Sequence, residues 1–123
     1  MNKLTGSLED YLEVIYVLQE KNGCVRITDI ASELSISKPS VNRAVKTLKS
    51  QNLLTHERYG TITLTDLGKS IAKDVDFRHK AITRFFVESL HIDPKIAEED
   101  ACKIEHIISP QTLQKLVDYS SKI

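Results

Sequence analysis

Cys102, Glu105 and His106 stand at i, i+3 and i+4 in the segment EEDACKIEHIIS, which reads as helix. That spacing puts a thiol, a carboxylate and an imidazole on one helical face. All three side-chain types ligate divalent transition metals. Asp10 and Glu13 in SLEDYLEVIY add two oxygen donors at i and i+3, and His79 falls on a further helical stretch. Each residue alone has a plainer use. Asp10 suits the positive end of a helix dipole. Glu13 reads as an exposed helical acid and His79 as a part-buried helical histidine. Cys102 reads as a small core hydrophobe. Together they say more, because three helix faces with compatible donors can converge in a helical core. Cys102 and His106 also suggest a thiol nucleophile with a base one turn away. No orienting third group or oxyanion-hole motif accompanies them, and neighbouring carboxylates disfavour a thiolate. The chain is therefore not expected to be an enzyme.

The elements that must carry these donors follow from periodicity. Leu8, Leu12, Ile15, Tyr16 and Leu18 form an apolar stripe that predicts a helix over about 7–21, ended by Asn22-Gly23. A second helix is predicted over about 28–34 with Thr28 as N-cap, and a third over about 38–51 with Ser37 as N-cap and Pro39 in the first turn. Two short strands, about 53–57 and 61–64, flank a turn at Arg58-Tyr59-Gly60. Thr65-Asp66 opens a long helix to about 90, Asp93-Pro94 another to about 108, and Ser109-Pro110 a last short one. The expected fold is mainly α with a small β-hairpin wing: a winged helix-turn-helix over residues 1–65, then a helical metal-binding and dimerisation unit over 66–123.

The bihelical stretch 27–46 has the anatomy of a DNA reader. Small Ala31 suits a close helix crossing, and Ile36 and Val41 are expected to fill the angle between the helices. Between Ser35 and Gln51 there are four basic residues, Lys38, Arg43, Lys46 and Lys49, and no acidic ones. The second helix of such a unit enters the major groove with its N-terminal residues at base edges. Pro39, Ser40 and Arg43 are the expected base contacts, and Asn42 is expected at bases or a phosphate. Ser37 caps this helix and belongs to the same face. Lys38, Lys46 and Lys49 are expected to hold phosphates. Arg58 and Tyr59 at the wing tip are expected at the backbone or an adjacent minor groove.

The formal net charge is zero, so only its distribution is informative: five acidic residues against two lysines lie between Asp93 and Glu105. Two cysteines, Cys24 and Cys102, give no disulfide framework. No apolar run reaches membrane-spanning length and no signal peptide is read. A cytoplasmic protein with reduced thiols is expected.

The chain resembles the diphtheria-toxin-repressor/manganese-transport-regulator family (DtxR/MntR) of metal-dependent repressors. The resemblance rests on EDYLEVIYVL, ITDIASELSISKPSVNRAVKTLKSQNLL, YGTITLTDLGKSIA, FRHKAITRFF and DACKIEHIIS, nearly the whole chain. It implies a homodimer that binds a double-stranded DNA operator once divalent metal is bound, and that controls metal-uptake genes. The expected form is the short one, without the SH3-like domain of longer members. The resemblance also implies the ligands. Asp10 stands where the manganese branch has Asp and the iron branch Met. Glu13 matches the manganese branch. His79 matches a ligand of both branches, in different sites. Cys102 matches the iron branch, where the manganese branch has a bridging glutamate. Glu105 and His106 match both. The iron branch's ancillary positions are His79, Thr83 and Glu98 here, so Glu98 is a further oxygen donor. This hybrid set implies Fe²⁺ or Mn²⁺ as the signal, with Co²⁺ or Zn²⁺ also able to bind. The expected mechanism is ordering, the metal tying the first helix to the fourth and fifth. The competing reading is a winged-helix regulator that answers an organic ligand or redox state through Cys102, without metal.

Overall fold

Leu8, Tyr11, Leu12, Ile15 and Leu18 recur every three or four residues and give the first helix, α1 (Gly6–Asn22), its buried face. Leu12 and Ile15 are wholly buried; each contributes about 1.5–3 kcal/mol by leaving water. Gly23 ends the helix at φ +83°, its N–H donating to the Gln19 carbonyl at 2.8 Å. The computed structural model describes residues 6–57 and 60–121. The chain forms two compact units divided between Lys73 and Asp74.

In the first unit, α2 (Ile27–Leu34) and α3 (Lys38–Ser50) follow α1. The second helix starts one residue earlier than predicted. Thr28 is not its cap: the backbone N–H of Arg26 donates to the Asp29 carboxylate at 2.9 Å. An acid three residues into a helix reaches back to the flanking amide in this way. Ser35, at φ 54°, takes the left-handed turn out of α2. Ile36 departs from expectation. Its N–H closes the turn on the Ala31 carbonyl at 3.0 Å, but its side chain is 38% exposed. Ile30, Ala31 and Val41 supply the buried apolar surface there instead. Ser37 caps α3 as predicted, accepting the Ser40 N–H.

Two strands complete the first unit, β1 (Leu54–His56) and β2 (Ile62–Leu64), each shorter than predicted. They pair antiparallel with Leu54 opposite Leu64 and His56 opposite Ile62. Ile62 also donates to the Val25 carbonyl at 2.7 Å, and the Gln19 side chain accepts the Leu64 N–H at 3.0 Å. These two bonds tie the hairpin to the helical layer. Leu54, Ile62 and Leu64 face the core.

Helix α4 (Asp66–Glu88) spans the division between the units. Its first turn is fixed to the hairpin. Thr65 Oγ1 donates to the Asn52 carbonyl at 2.7 Å and accepts the Gly68 N–H at 3.1 Å. Gly68 is buried against the backbone of Leu53, where an added Cβ would lie 1.9 Å from the carbonyl oxygen.

The second unit holds the remainder of α4, then α5 (Pro94–Ile104) and α6 (Pro110–Ser121). The α5 cap is Asp93, which accepts the Lys95 N–H at 3.0 Å. The α6 cap is Ser109, which accepts the Thr112 N–H at 3.1 Å. Helix α5 stops at Ile104, a turn earlier than predicted, so Glu105 caps it and His106 lies in the turn beyond. The Ile107 N–H donates to the Ile104 carbonyl at 3.0 Å. The same carbonyl also accepts the Ile108 N–H at 2.9 Å, so three- and four-residue bonds share this last turn. Val75, Ile82, Ala97 and Ala101 are buried, while Phe85, Phe86, Leu113, Leu116 and Val117 are half-buried. Phe77, Leu90, Ile96 and Tyr119 stay about half exposed, and Ile107 is 79% exposed. No helix of the described residues is long and apolar enough to cross a membrane.

Candidate functional site

Three donors from α4 and the end of α5 meet inside the second unit. His79 sits midway along α4, Cys102 in the last turn of α5 and Glu105 at its cap. One donor atom from each lies within 4.8 Å of the other two. His79 Nδ1 is 3.1 Å from Glu105 Oε1 and 3.7 Å from Cys102 Sγ. Two donors on one ion at about 2.0–2.3 Å stand no more than about 4.6 Å apart. The two separations fall within that limit, and nitrogen, sulfur and oxygen together make a sound ligand set for a divalent transition metal. Glu105 is fully buried while Cys102 is exposed. The cluster therefore has a fixed inner carboxylate and an outer thiol reachable by an ion.

The surroundings hold these donors in place. Arg78 Nη1 donates to the Glu105 carbonyl at 2.7 Å, and its Nε pairs with Asp74 at 3.3 Å. Arg78 thus fixes the end of α5 from α4, a role sequence reasoning missed. Its only sequence signal is the i, i+4 spacing from Asp74. Thr83 Oγ1 donates to the His79 carbonyl at 2.8 Å, so this hydroxyl bonds back along its own helix. An open cleft of about 350 Å³ beside it is lined by residues that include His79, Thr83 and Glu98. Glu98 itself is exposed on α5.

Helix α5 ends short of the predicted residue 108, with Glu105 at its cap in right-handed helical conformation. Glu105 pairs with Cys102 in the set that contains His79, and a Glu105 oxygen also lies within 4.8 Å of a His106 ring nitrogen. Asp10 and Glu13 lie one turn apart on α1, in the first unit.

The first unit presents a second chemical surface. Ser37, Lys38, Pro39, Asn42, Arg43, Lys46 and Lys49 are exposed, while Val41, Ala44, Val45 and Leu48 bury the opposite side of α3. The N-terminal turn is ordered by its own side chains. Ser37 Oγ and Ser40 Oγ are 3.0 Å apart, and Arg43 Nη2 donates to Ser40 Oγ at 3.3 Å. Ser40, which accepts this bond, is half-buried. Arg58 and Tyr59 lie outside the described residues.

Residues 3–62 match the family model described as iron dependent repressor, N-terminal DNA binding domain. Residues 65–123 match the one described as iron dependent repressor, metal binding and dimerisation domain. The chain is 38% identical over 120 residues to an uncharacterised HTH-type transcriptional regulator of Methanocaldococcus jannaschii, spanning 97% of this chain and 96% of that one. It is 34% identical over 114 residues to the HTH-type transcriptional regulator MntR of Bacillus subtilis, spanning 93% and 80%. The solved manganese regulator SloR matches with a TM-score of 0.83 at 28% identity, over 94% of this chain and 54% of that chain. A manganese-dependent transcriptional repressor in complex with manganese matches with a TM-score of 0.85 at 26% identity, over 93% and 52%. The chain thus spans about half the length of those two solved relatives. With a DNA-binding half and a metal-binding, dimerising half both matched, the chain belongs to the iron-dependent repressor family, the metal-sensing transcriptional repressors.

Proposed function

We propose that this chain is a homodimeric repressor that binds its operator when loaded with Fe²⁺ or Mn²⁺, and that it controls genes for uptake of that metal. The observation that carries the reading is the convergence of His79, Cys102 and Glu105 on one point. Residues 1–65 serve as the reader and 66–123 as the metal-binding and dimerising part. Asp10, Glu13 and His106 join the ligand set by the family resemblance, with Glu98 beside the cleft. Carboxylates favour Mn²⁺ and Fe²⁺, whereas a thiolate shifts preference toward Fe²⁺, Co²⁺ and Zn²⁺. Arg43 reads bases, and Lys38, Lys46 and Lys49 hold phosphates. A coupling of about 1–3 kcal/mol between metal and DNA gives a 5–150-fold change in operator affinity. The protein works in the cytoplasm with its DNA. It is no enzyme: Cys102 and the histidines act as ligands.

A gel shift on operator DNA tests this. Chelator should release the DNA, and added Mn²⁺ or Fe²⁺ should restore it. Equal affinity with and without metal would sink the switch. The exposed Cys102 thiol beside His79 would then favour the redox or organic-ligand regulator. Alkylation separates the two directly, since a ligating Cys102 is protected when metal is bound.

A further inference from the structure

We infer that Ser40 is a positioning residue for DNA reading: its hydroxyl holds the Arg43 guanidinium in the pose that reads a base, so preference at that base depends on the Ser40 oxygen. The inference rests on the reading of Arg43 as a base contact and adds what orients it.

Ser40 and Arg43 stand three residues apart on α3 and so share one face of it. Arg43 Nη2 donates to Ser40 Oγ at 3.3 Å. Ser40 Oγ is itself braced, 3.0 Å from Ser37 Oγ. Ser37 is the N-cap, and its Oγ accepts the Ser40 N–H at 3.4 Å. A chain of three side chains therefore runs from the fixed start of the helix to an exposed cation. Serine reaches its oxygen through a single torsion, whereas arginine reaches its guanidinium through several. The half-buried serine is thus the stiffer of the two and serves as the anchor.

The chemistry of the acceptor matters. An exposed arginine loses rotamer freedom when it grips a base, and a bond made beforehand removes part of that loss. Helix α3 carries no acidic residue. The acceptor is a neutral hydroxyl, so the guanidinium keeps its full charge for DNA. One N–H is used, and the others suffice for two parallel bonds to guanine O6 and N7. Thr47 does not compete, because its Oγ1 donates to the Arg43 carbonyl at 3.1 Å.

The test uses the full chain with Mn²⁺ and a duplex that the parent selects from a random DNA library. Affinity is then measured for every single-base variant of that duplex. Ser40→Ala leaves the cap oxygen on Ser37 in place. It should bind the selected duplex about two- to tenfold more weakly, the worth of one hydrogen bond. It should also lose preference at the base position that Arg43→Ala relaxes, and at no other. In the Arg43→Ala background, Ser40→Ala should add nothing. Ser40→Thr keeps the acceptor and should keep the preference. A second measurement needs no DNA: ¹⁵N relaxation of the arginine Nε–H groups should find Arg43 more mobile in Ser40→Ala than in the parent. Equal weakening on every sequence would make Ser40 a phosphate contact and overturn the inference. Additive effects of the two substitutions overturn it too, as does Arg43 mobility unchanged in Ser40→Ala. The inference alone fails when Arg43→Ala relaxes a position and Ser40→Ala does not. If Arg43→Ala relaxes none, the base-contact reading itself fails.

Discussion

Arg43 and Lys46 occupy the same exposed side of α3 but should act differently. Arg43 is held toward the helix N-terminus by its bond to Ser40 Oγ, where a guanidinium can grip a guanine edge by two bonds. Arg43→Ala should weaken specific binding by about 1–3 kcal/mol and relax preference at one base position. Lys46→Ala should weaken all sequences alike and lower the log–log salt slope by about one. Binding isotherms on operator and scrambled DNA at several salt concentrations check both, and the opposite pattern would mean that α3 is misplaced in the groove. In the proposed ligand set, the sulfur of residue 102 sets the metal preference. Cys102→Glu replaces a soft donor with a carboxylate able to bridge two hard cations. Equilibrium dialysis should find more Mn²⁺ bound per chain than in the parent, with a reduced preference for Co²⁺ and Zn²⁺. The near-ultraviolet sulfur-to-cobalt charge-transfer band of the Co²⁺-loaded protein should vanish in this variant and persist in Cys24→Ser.

At the scale of elements, the junction between the hairpin and α4 leaves no room for a side chain at residue 68. Gly68 lies against Leu53, and Thr65 bonds both Asn52 and Gly68 across the same corner. In an open helix Gly→Ala gains about 1 kcal/mol of propensity. Here the new Cβ would sit 1.9 Å from a carbonyl oxygen, and backbone must move to admit it. Gly68→Ala should therefore destabilise the protein by about 1–3 kcal/mol, the usual cost of overpacking. Urea denaturation of the metal-free protein would show a lower midpoint, and an unchanged or raised midpoint would contradict the contact.

For the whole molecule, the apolar inventory of the second unit predicts self-association. Phe77, Leu90, Ile96 and Tyr119 are about half exposed, and Phe85 packs edge-on to Tyr119 at 5.7 Å. Each of the three helices carries exposed apolar side chains, and the family model for residues 65–123 names dimerisation. The chain should sediment as a dimer at micromolar concentration both without metal and with it. A monomer in both conditions would leave the exposed side chains unexplained.

Much of this was legible in the sequence. The stripe of α1, the Ser37 cap, the turn at Gly23 and the alternation of β2 are local patterns, and they fixed the helix-turn-helix, the hairpin and the basic side of α3. The donor types were legible as well, because ligand chemistry resides in the side chain itself. Partnership among the donors was not. It depends on how α4 packs on α5, which no local pattern in either helix encodes. Arg78 holding the Glu105 carbonyl, and His79 meeting Cys102 from another helix, join residues 27 and 23 positions apart. Ile36 shows the same limit: its apolar character predicted burial, but the turn at Ser35 left it exposed. Sequence periodicity determined which face each residue shares within its element. Only the packing of α4 on α5 decided which donors share a point in space, because contact between elements is not a periodic property of either one.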